Sequence, residues 1–151
     1  MSHKARLLLI FLINGFFLFL DRLFKYLSLR ELADNQLLNQ FLGWQPSLNA
    51  GLAFSLPMPV AITVILTIPI IIIIFYLLHK NINHFPLNFS LTLVIAGALS
   101  NLYDRIIYRH TIDYLLIFTA VINIADVMIT AGFVIYLLSR KFCHSCESRN
   151  L

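Results

Sequence analysis

The stretch VAITVILTIPIIIIIFYLL, residues 60–78, decides the class of protein to which this chain belongs. It carries no charged side chain, and Thr63 and Thr67 are its polar positions. A helix needs about 20 mostly apolar residues to cross a lipid bilayer, and this stretch is long enough to do so. Because it is apolar on every side, we expect this helix to face lipid, to carry no chemistry and to bend at Pro69.

The composition of the whole chain also predicts an integral membrane protein. Of the 151 residues, 60% are hydrophobic and 12% are charged, against roughly 45–50% and about 25% in ordinary soluble domains. A soluble domain of this size has too little interior to bury so many apolar side chains, which excludes a soluble enzyme, a disordered chain and a fibrous repeat. The net charge of +4 comes from cations spread along the chain, so we expect no nucleic-acid partner. Residues 1–151 are treated as one membrane domain.

Three further segments are predicted to be membrane helices. Residues 7–20 are free of charge but too short to cross alone, so this helix continues past Asp21 to about residue 27. A cleaved signal peptide is the alternative interpretation, but no small-x-small cleavage site follows. Together with the helix at about 58–78, segments at about 85–103 and 120–139 complete a set of four.

Four crossings place both termini on the same side of the membrane. Six of the eleven Lys and Arg residues then lie on that side, which weakly favours cytoplasmic termini and a cytoplasmic tail at 140–151. The outer loops are predicted at 28–57 and 104–119, with a short surface helix over 29–41, a turn at 49–51 and a surface strand over 111–118. Most acidic residues gather at this outer face: Asp21, Glu31, Asp34, Asp104, Asp113 and Asp126.

Two groups of polar residues near the outer ends of helices require an explanation, because charged and amide groups at membrane depth are costly and by default mark function. Asp21 and Lys25 have the i,i+4 spacing of a helical pair, which fits either a local ion pair or a functional group. Asn101 and Asp104 share a helix face with Gly97. They fit either an interfacial cap, with Arg105 anchored in the headgroups, or part of a site.

Asp113 and Asp126 are the strongest candidates for chemistry. Asp126 lies three residues after Asn123 in the fourth predicted helix, roughly 7–8 Å deep at about 1.5 Å per residue. Asp113 precedes this helix and, taken alone, could be an ordinary loop residue. Both can reach the outer interface, however, and two carboxylates a few Å apart share one proton. One can then activate a water while the other protonates a substrate carbonyl, which is the chemistry of an aspartic protease.

Other functions are less well supported by the sequence. The outer cluster contains His110 as its only histidine and no cysteine, so a zinc hydrolase is poorly supported and no metal or cofactor is expected. Cys143 and Cys146 form a C-x-x-C in the tail, but the chain has no second pair to complete a metal site. A proton- or ion-coupled transporter and a non-catalytic scaffold remain as alternatives. An ion path would need polar groups through the full membrane thickness, and the inner halves of the helices are nearly all apolar.

The order of these motifs resembles lipoprotein signal peptidase, also called signal peptidase II, over about residues 7–139. The resemblance implies a four-helix aspartic protease of the bacterial inner membrane with a small extramembrane β-cradle. It implies removal of the signal peptide from prolipoproteins just before a diacylglyceryl-modified cysteine. The motifs are Asp21-x-x-x-Lys25, Asn49-x-Gly51-x-Ala53-Phe54, Gly97-x-x-x-Asn101-x-x-Asp104-Arg105, Asp113 and Asn123-x-Ala125-Asp126.

By this resemblance Asp113 and Asp126 are the catalytic pair. The positions that shape or support the site are Asp21, Lys25, Asn49, Gly51, Gly97, Asn101, Asp104, Arg105, Asn123 and Ala125. The chain departs from the family pattern in the short spacing of the two catalytic residues and at Phe24, Ser100, Arg109, Thr111 and Ile122. Because both aspartates are kept, we expect an active enzyme, working as a monomer near the periplasmic face, with prolipoprotein and membrane lipid as its partners.

Overall fold

The structure is a computed structural model that describes residues 2–30, 36–39, 41–51, 58–80 and 84–147. Within these residues the chain is mostly helical and carries a small antiparallel sheet, which confirms the predicted combination of helices with a β-cradle. In chain order the elements are α1 (His3–Arg30), β1 (Gln36–Asn39), β2 (Leu42–Asn49), α2 (Val60–Lys80), α3 (Phe85–Tyr108), β3 (Thr111–Ile117), β4 (Ala120–Ile122) and α4 (Ile124–Glu147).

Three of the described helices are long and apolar enough to cross a membrane, as judged by length and composition. They are the stretches Lys4–Arg30, Val60–Lys80 and Phe85–Tyr108. Large apolar side chains on α1 and α2, such as Phe11 and Ile65, are exposed, as expected of surfaces that face lipid. The helix α4 is not among the three, so a fourth membrane crossing stays a prediction.

The four described strands form one sheet in the order β1-β2-β3-β4, with every neighbouring pair antiparallel. The central pairing sets Ser47 opposite Asp113 and Asn49 opposite Thr111. The predicted surface strand over 111–118 is therefore confirmed as β3. The predicted surface helix over 29–41 is wrong for residues 36–39, which form β1 because they pair with β2.

The last helix runs to Glu147 instead of ending at the predicted residue 139. Two other predicted helix boundaries are wrong for identifiable reasons. Residues 120–122 pair with β3 as strand β4, so the last helix starts at Ile124 instead of 120. The helix α3 runs to Tyr108, beyond the predicted end at 103, and stops where Arg109 adopts a left-handed conformation with φ 64°. That conformation is costly for a residue with a Cβ, and it ends the helix at this point.

Helices α3 and α4 pack at very close range. A Cβ added at Gly97 would lie 2.5 Å from the carbonyl oxygen of Ala125, and one added at Gly132 would lie 2.7 Å from that of Ser90. Only glycine allows this approach, because a real Cβ would overlap the neighbouring backbone. The packing matters for the arrangement of polar residues, since it brings the C-terminal half of α3 against the first turn of α4.

Candidate active site

The first turn of α4 carries Asp126, and Asn123 caps it. The side-chain oxygen of Asn123 accepts a hydrogen bond from the Asp126 amide at 2.8 Å, and Oδ2 of Asp126 accepts one from the Asn123 amide at 3.4 Å. This reciprocal pair is a capping box. Asp126 is thus the third residue of α4 and lies nearer to the start of the helix than predicted, because β4 occupies the preceding positions.

Two other chain segments bind the remaining free amides of this turn. The Ile124 amide donates to the Tyr114 hydroxyl at 3.1 Å, and the Ala125 amide donates to Oδ1 of Asp21 at 3.0 Å. The first amides of a helix lack partners within the helix itself. The start of α4 is therefore attached to β3 through Tyr114 and to α1 through Asp21.

Asp113 lies on β3 and is buried. Its two oxygens accept hydrogen bonds from two amide side chains: Asn123 Nδ2 at 2.6 Å and Asn49 Nδ2 at 3.0 Å. The Asn49 side-chain oxygen accepts from the Gly51 amide at 2.9 Å, which confirms the predicted turn at 49–51. One Asn123 side chain therefore contacts both aspartates, Asp113 through its nitrogen and the Asp126 amide through its oxygen.

Asn101 of α3 fixes the carboxylate of Asp126 from the other side. Its Nδ2 donates to Oδ1 of Asp126 at 2.7 Å. Its oxygen accepts from Lys25 Nζ at 2.8 Å and from Asn123 Nδ2 at 3.2 Å. The carboxylate of Asp126 is thereby held through Asn101 to a cation on α1.

A buried charge cluster lies behind the two aspartates. Lys25 Nζ is 3.0 Å from Asp21 and 2.8 Å from Asp104, and Arg22 is 2.6 Å from Asp104. Ser100 donates to Asp21 at 2.5 Å. The predicted pairing of Asp21 with Lys25 is confirmed, and the cluster joins α1 to α3 with two positive and two negative charges.

Burial and a neighbouring charge give Asp113 an unusual proton affinity. Burial, followed by the charge of Asp126, raises the pKa of the Asp113 carboxyl from 3.8 to about 6. The hydrogen bonds from Asn49 and Asn123 and the charge of Lys25 act in the opposite direction. A carboxyl with a pKa near 6 can hold or release a proton close to neutral pH, as acid–base chemistry requires.

Both aspartates line a cavity of about 820 Å³. Much of its wall comes from the β3–β4 hairpin and from one face of α4, and Arg105 adds a cation. Thr67 of α2 also lines it, so the expectation that α2 only faces lipid is wrong at this position. The lining is Asn49, Thr67, Ala98, Asn101, Arg105, Asp113, Ile117, Phe118, Thr119, Ala120, Val121, Ile122, Asp126, Val127, Ile129, Thr130 and Ala131.

The structure thus brings the predicted site residues that lie within the described segments to one end of the helix bundle. Gly97 and Ala125 meet where α3 crosses α4, and Ala125 is fully buried. Some predicted positions lie outside the described residues, namely Glu31, Asp34, Ala53 and Phe54, and the side chains of Cys143 and Cys146 are likewise not described.

Sequence reasoning missed Tyr114, Thr67 and the bond from Arg22 to Asp104. It also interpreted Asn123-x-x-Asp126 as two residues on one helix face, whereas the spacing of a polar residue and an acid three positions later is also the signature of a capping box. That signature would have placed the start of α4 correctly.

A comparison with protein families identifies the chain. The family model for signal peptidase II matches residues 13–142. The chain belongs to the signal peptidase II family. The resemblance inferred from the motifs is confirmed, and the family is one of proteases, so the transporter alternative has no support.

Individual relatives agree with this assignment. The chain is 38% identical over 143 residues to the lipoprotein signal peptidase of Bartonella tribocorum, covering 86% of each protein. It is 29% identical over 133 residues to that of Clostridium novyi, covering 80% of this chain and 89% of the relative. A bacterial membrane enzyme solved by the in meso method at 2.3 Å superposes with a TM-score of 0.82 at 25% identity, covering 90% of this chain and 89% of that one.

Proposed function

We propose that this signal peptidase II family member is a membrane-embedded aspartic endopeptidase with Asp113 and Asp126 as its catalytic pair. Its substrates are diacylglyceryl-modified prolipoproteins, and it cuts just before the lipidated cysteine. The observation that carries the proposal is that both carboxylates line one cavity and both accept hydrogen bonds from Asn123, Asp113 from its side-chain nitrogen and Asp126 from its backbone amide.

The reaction needs only these two carboxyl groups and a water molecule. The pair carries one proton, because two neighbouring carboxylates do not ionise together easily. The ionised member removes a proton from water, which attacks the scissile carbonyl, while the protonated member donates to the carbonyl oxygen. A proton then passes to the leaving amine as the peptide bond breaks. The raised pKa of Asp113 supports a protonated member near neutral pH.

The surrounding residues act by holding this pair. Asn49, Asn101 and Asn123 supply hydrogen-bond donors to the carboxylates without adding charge. Gly97 permits the close approach of α3 to α4 that lets Asn101 reach Asp126. Arg105, on the cavity wall, is available to a peptide carbonyl of the substrate.

The cavity suits a peptide that approaches from the membrane. Its lining is mostly apolar, with the polar groups gathered around the two carboxylates. Such a surface accepts apolar side chains and acyl chains beside the reacting bond. The carboxylates lie near the outer end of α3 and the first turn of α4, so we place the site at the periplasmic face of the inner membrane, with four crossings and cytoplasmic termini. Nothing in this arrangement requires a second copy, so we propose a monomer.

Cleavage of a defined substrate by purified protein tests the function. The protein in detergent is mixed with a prolipoprotein carrying the diacylglyceryl group and, in parallel, with the same prolipoprotein lacking it. Mass spectrometry should find the modified protein cut immediately before the lipidated cysteine and the unmodified one intact. Absence of cleavage of the modified substrate, or cleavage at another bond, would refute the proposal.

A further inference from the structure

Tyr114 occupies a position that links the two aspartates of the site. It directly follows Asp113 on β3, and successive strand residues point to opposite faces. The carboxyl of Asp113 therefore faces the cavity, while the Tyr114 ring points into the protein and is 2% exposed. Its hydroxyl reaches the start of α4, two residues before Asp126.

The hydroxyl of Tyr114 makes two hydrogen bonds of different kinds. It accepts from the Ile124 amide at 3.1 Å and donates to Oδ1 of Asp21 at 3.3 Å. The same Asp21 oxygen accepts from the Ala125 amide at 3.0 Å. A closed set of polar contacts thus joins β3, α1 and the first turn of α4.

The ring of Tyr114 is fixed independently of its hydroxyl. It packs against Trp44 at a centroid distance of 5.1 Å and against Phe24 at 5.7 Å. A rigid ring gives the hydroxyl a defined position, which a freely rotating side chain would not have.

We propose that the Tyr114 hydroxyl is a positioning residue that sets the distance between the Asp113 and Asp126 carboxyl groups. Tyr114 shares a strand with Asp113 and holds the amide end of the helix that carries Asp126. Any shift of α4 relative to β3 changes the separation of the two carboxyls, and proton sharing depends steeply on that separation. The inference rests on the proposed function of the pair.

Tyr114→Phe tests this role because it removes the hydroxyl and keeps the ring. We expect kcat on the lipidated prolipoprotein to fall about tenfold to a hundredfold, with KM changed less than about twofold. A purely structural role would lower the amount of folded protein without this loss per folded molecule. Tyr76→Phe, which changes an exposed tyrosine of α2, is the matched control and keeps the wild-type kcat.

A second substitution identifies the hydrogen bond responsible. Proline is well tolerated at the first position of a helix and has no amide hydrogen, so Ile124→Pro removes the donor that the Tyr114 hydroxyl accepts. In the Ile124→Pro background, Tyr114→Phe leaves no amide hydrogen at position 124 without a partner. The decrease in kcat caused by Tyr114→Phe should therefore shrink to about threefold or less. In the Ile124→Ala background, which keeps the amide, Tyr114→Phe should lower kcat by the full tenfold to hundredfold. An equal decrease in kcat on Tyr114→Phe in the two backgrounds would overturn the inference.

The outcomes separate this inference from the function on which it rests. A wild-type protein that cuts no lipidated prolipoprotein refutes the proposed function. Wild-type cleavage together with Tyr114→Phe at the wild-type rate refutes the positioning role alone. If Tyr114→Phe yields little folded protein, Ile124→Pro should restore the yield, and failure to restore it would also overturn the inference.

Discussion

Lys25 contacts Asp104 at 2.8 Å, slightly closer than it contacts Asp21, its neighbour one turn away on the same helix. Both Lys25 and Asp104 are almost completely buried. The contact joins α1 to α3, whereas the contact with Asp21 lies within α1. Lys25 therefore serves as a link between helices, and its loss leaves two buried carboxylates with Arg22 as the cation beside them.

Loss of Lys25 should act on stability more than on turnover. An uncompensated buried charge costs about 3–5 kcal/mol, so we expect Lys25→Ala to lower the yield and thermal stability of folded protein strongly while kcat per folded molecule falls less. Asp21→Ala should destabilise as well and should also lower kcat, because Asp21 holds the Ala125 amide. The double variant should cost less than the sum of the two.

A direct electrostatic role for Lys25 is the competing explanation. Its charge lowers the pKa of Asp113, against the larger effects of burial and Asp126. The pH–rate profile and the melting temperature are measured for both single variants and the double, with Lys4→Ala as an exposed control. An acidic limb shifted upward in Lys25→Ala, with stability unchanged, would contradict the linking role.

Replacing either aspartate of the pair should abolish processing. Asp113→Asn and Asp126→Asn keep the size of the side chain but cannot exchange a proton, so we expect kcat to fall by about a thousandfold or more in each. Both proteins should still insert and fold, as judged by yield and melting temperature in detergent. Processing of a lipidated prolipoprotein at near wild-type rate by either variant would show that the pair is wrongly assigned.

The raised pKa of Asp113 predicts how stability depends on pH. Its pKa is about 6 in the folded protein against an ordinary 3.8, so the folded state binds the proton more tightly than the unfolded state does. The contribution of this bound proton to the free energy of unfolding is complete below about pH 4. It is lost as the pH rises through 6, and the loss amounts to up to about 3 kcal/mol. Asp113→Asn has no such proton to lose.

The measurement compares melting temperatures of wild type and Asp113→Asn between pH 4 and pH 7. The difference, variant minus wild type, should grow as the pH rises through this window. Asn49 and Asn123 contact this position and do not titrate, so they leave the comparison unaffected. A difference that stays constant across the window would show that Asp113 has an ordinary pKa in the folded protein.

The i,i+4 contact of Asp21 with Lys25 was predictable from the sequence, but the contacts between different elements were not. The apolar run of α2 and the aspartates next to apolar segments are visible in the sequence because hydropathy and charge are local properties. The strand β4 was not, because residues 120–122 are as apolar as the start of a membrane helix and become a strand through pairing with β3. Likewise, no spacing rule connects Lys25 to Asp104, which lie far apart in the chain.

Chelators should leave the activity unchanged. Within the part of the chain that the structure describes, no group of three or more His, Cys, Asp or Glu side chains is arranged to hold a metal ion. The pair is surrounded by amide donors, which stabilise carboxylates and are poor metal ligands. Processing is measured with and without EDTA, and in a chain truncated after residue 141, which lacks Cys143 and Cys146. Loss of activity with EDTA that zinc restores would contradict this expectation, as would loss on truncation.

The close approach of α3 to α4 at Gly97 offers a sharp test of packing. In Gly97→Ala the new Cβ would lie 2.5 Å from the Ala125 carbonyl oxygen and 2.9 Å from Cγ1 of Ile129. The first of these contacts is with backbone, so α3 and α4 must move apart. Forced overpacking of this kind costs typically about 1–3 kcal/mol. The movement also draws Asn101 away from Asp126, so we expect kcat to fall about tenfold or more.

Gly15→Ala on α1 is the matched control, because a Cβ added there meets nothing within 4 Å. The same substitution in an open helix position should stabilise the protein by about 0.5–1 kcal/mol, since alanine loses less conformational entropy than glycine. Melting temperature and kcat are measured for both variants in the same detergent. Gly97→Ala with wild-type kcat would show that Asn101 need not be held at hydrogen-bonding distance from Asp126. A Gly15→Ala variant as damaged as Gly97→Ala would instead show that the loss comes from replacing any membrane glycine, and not from the contact with Ala125.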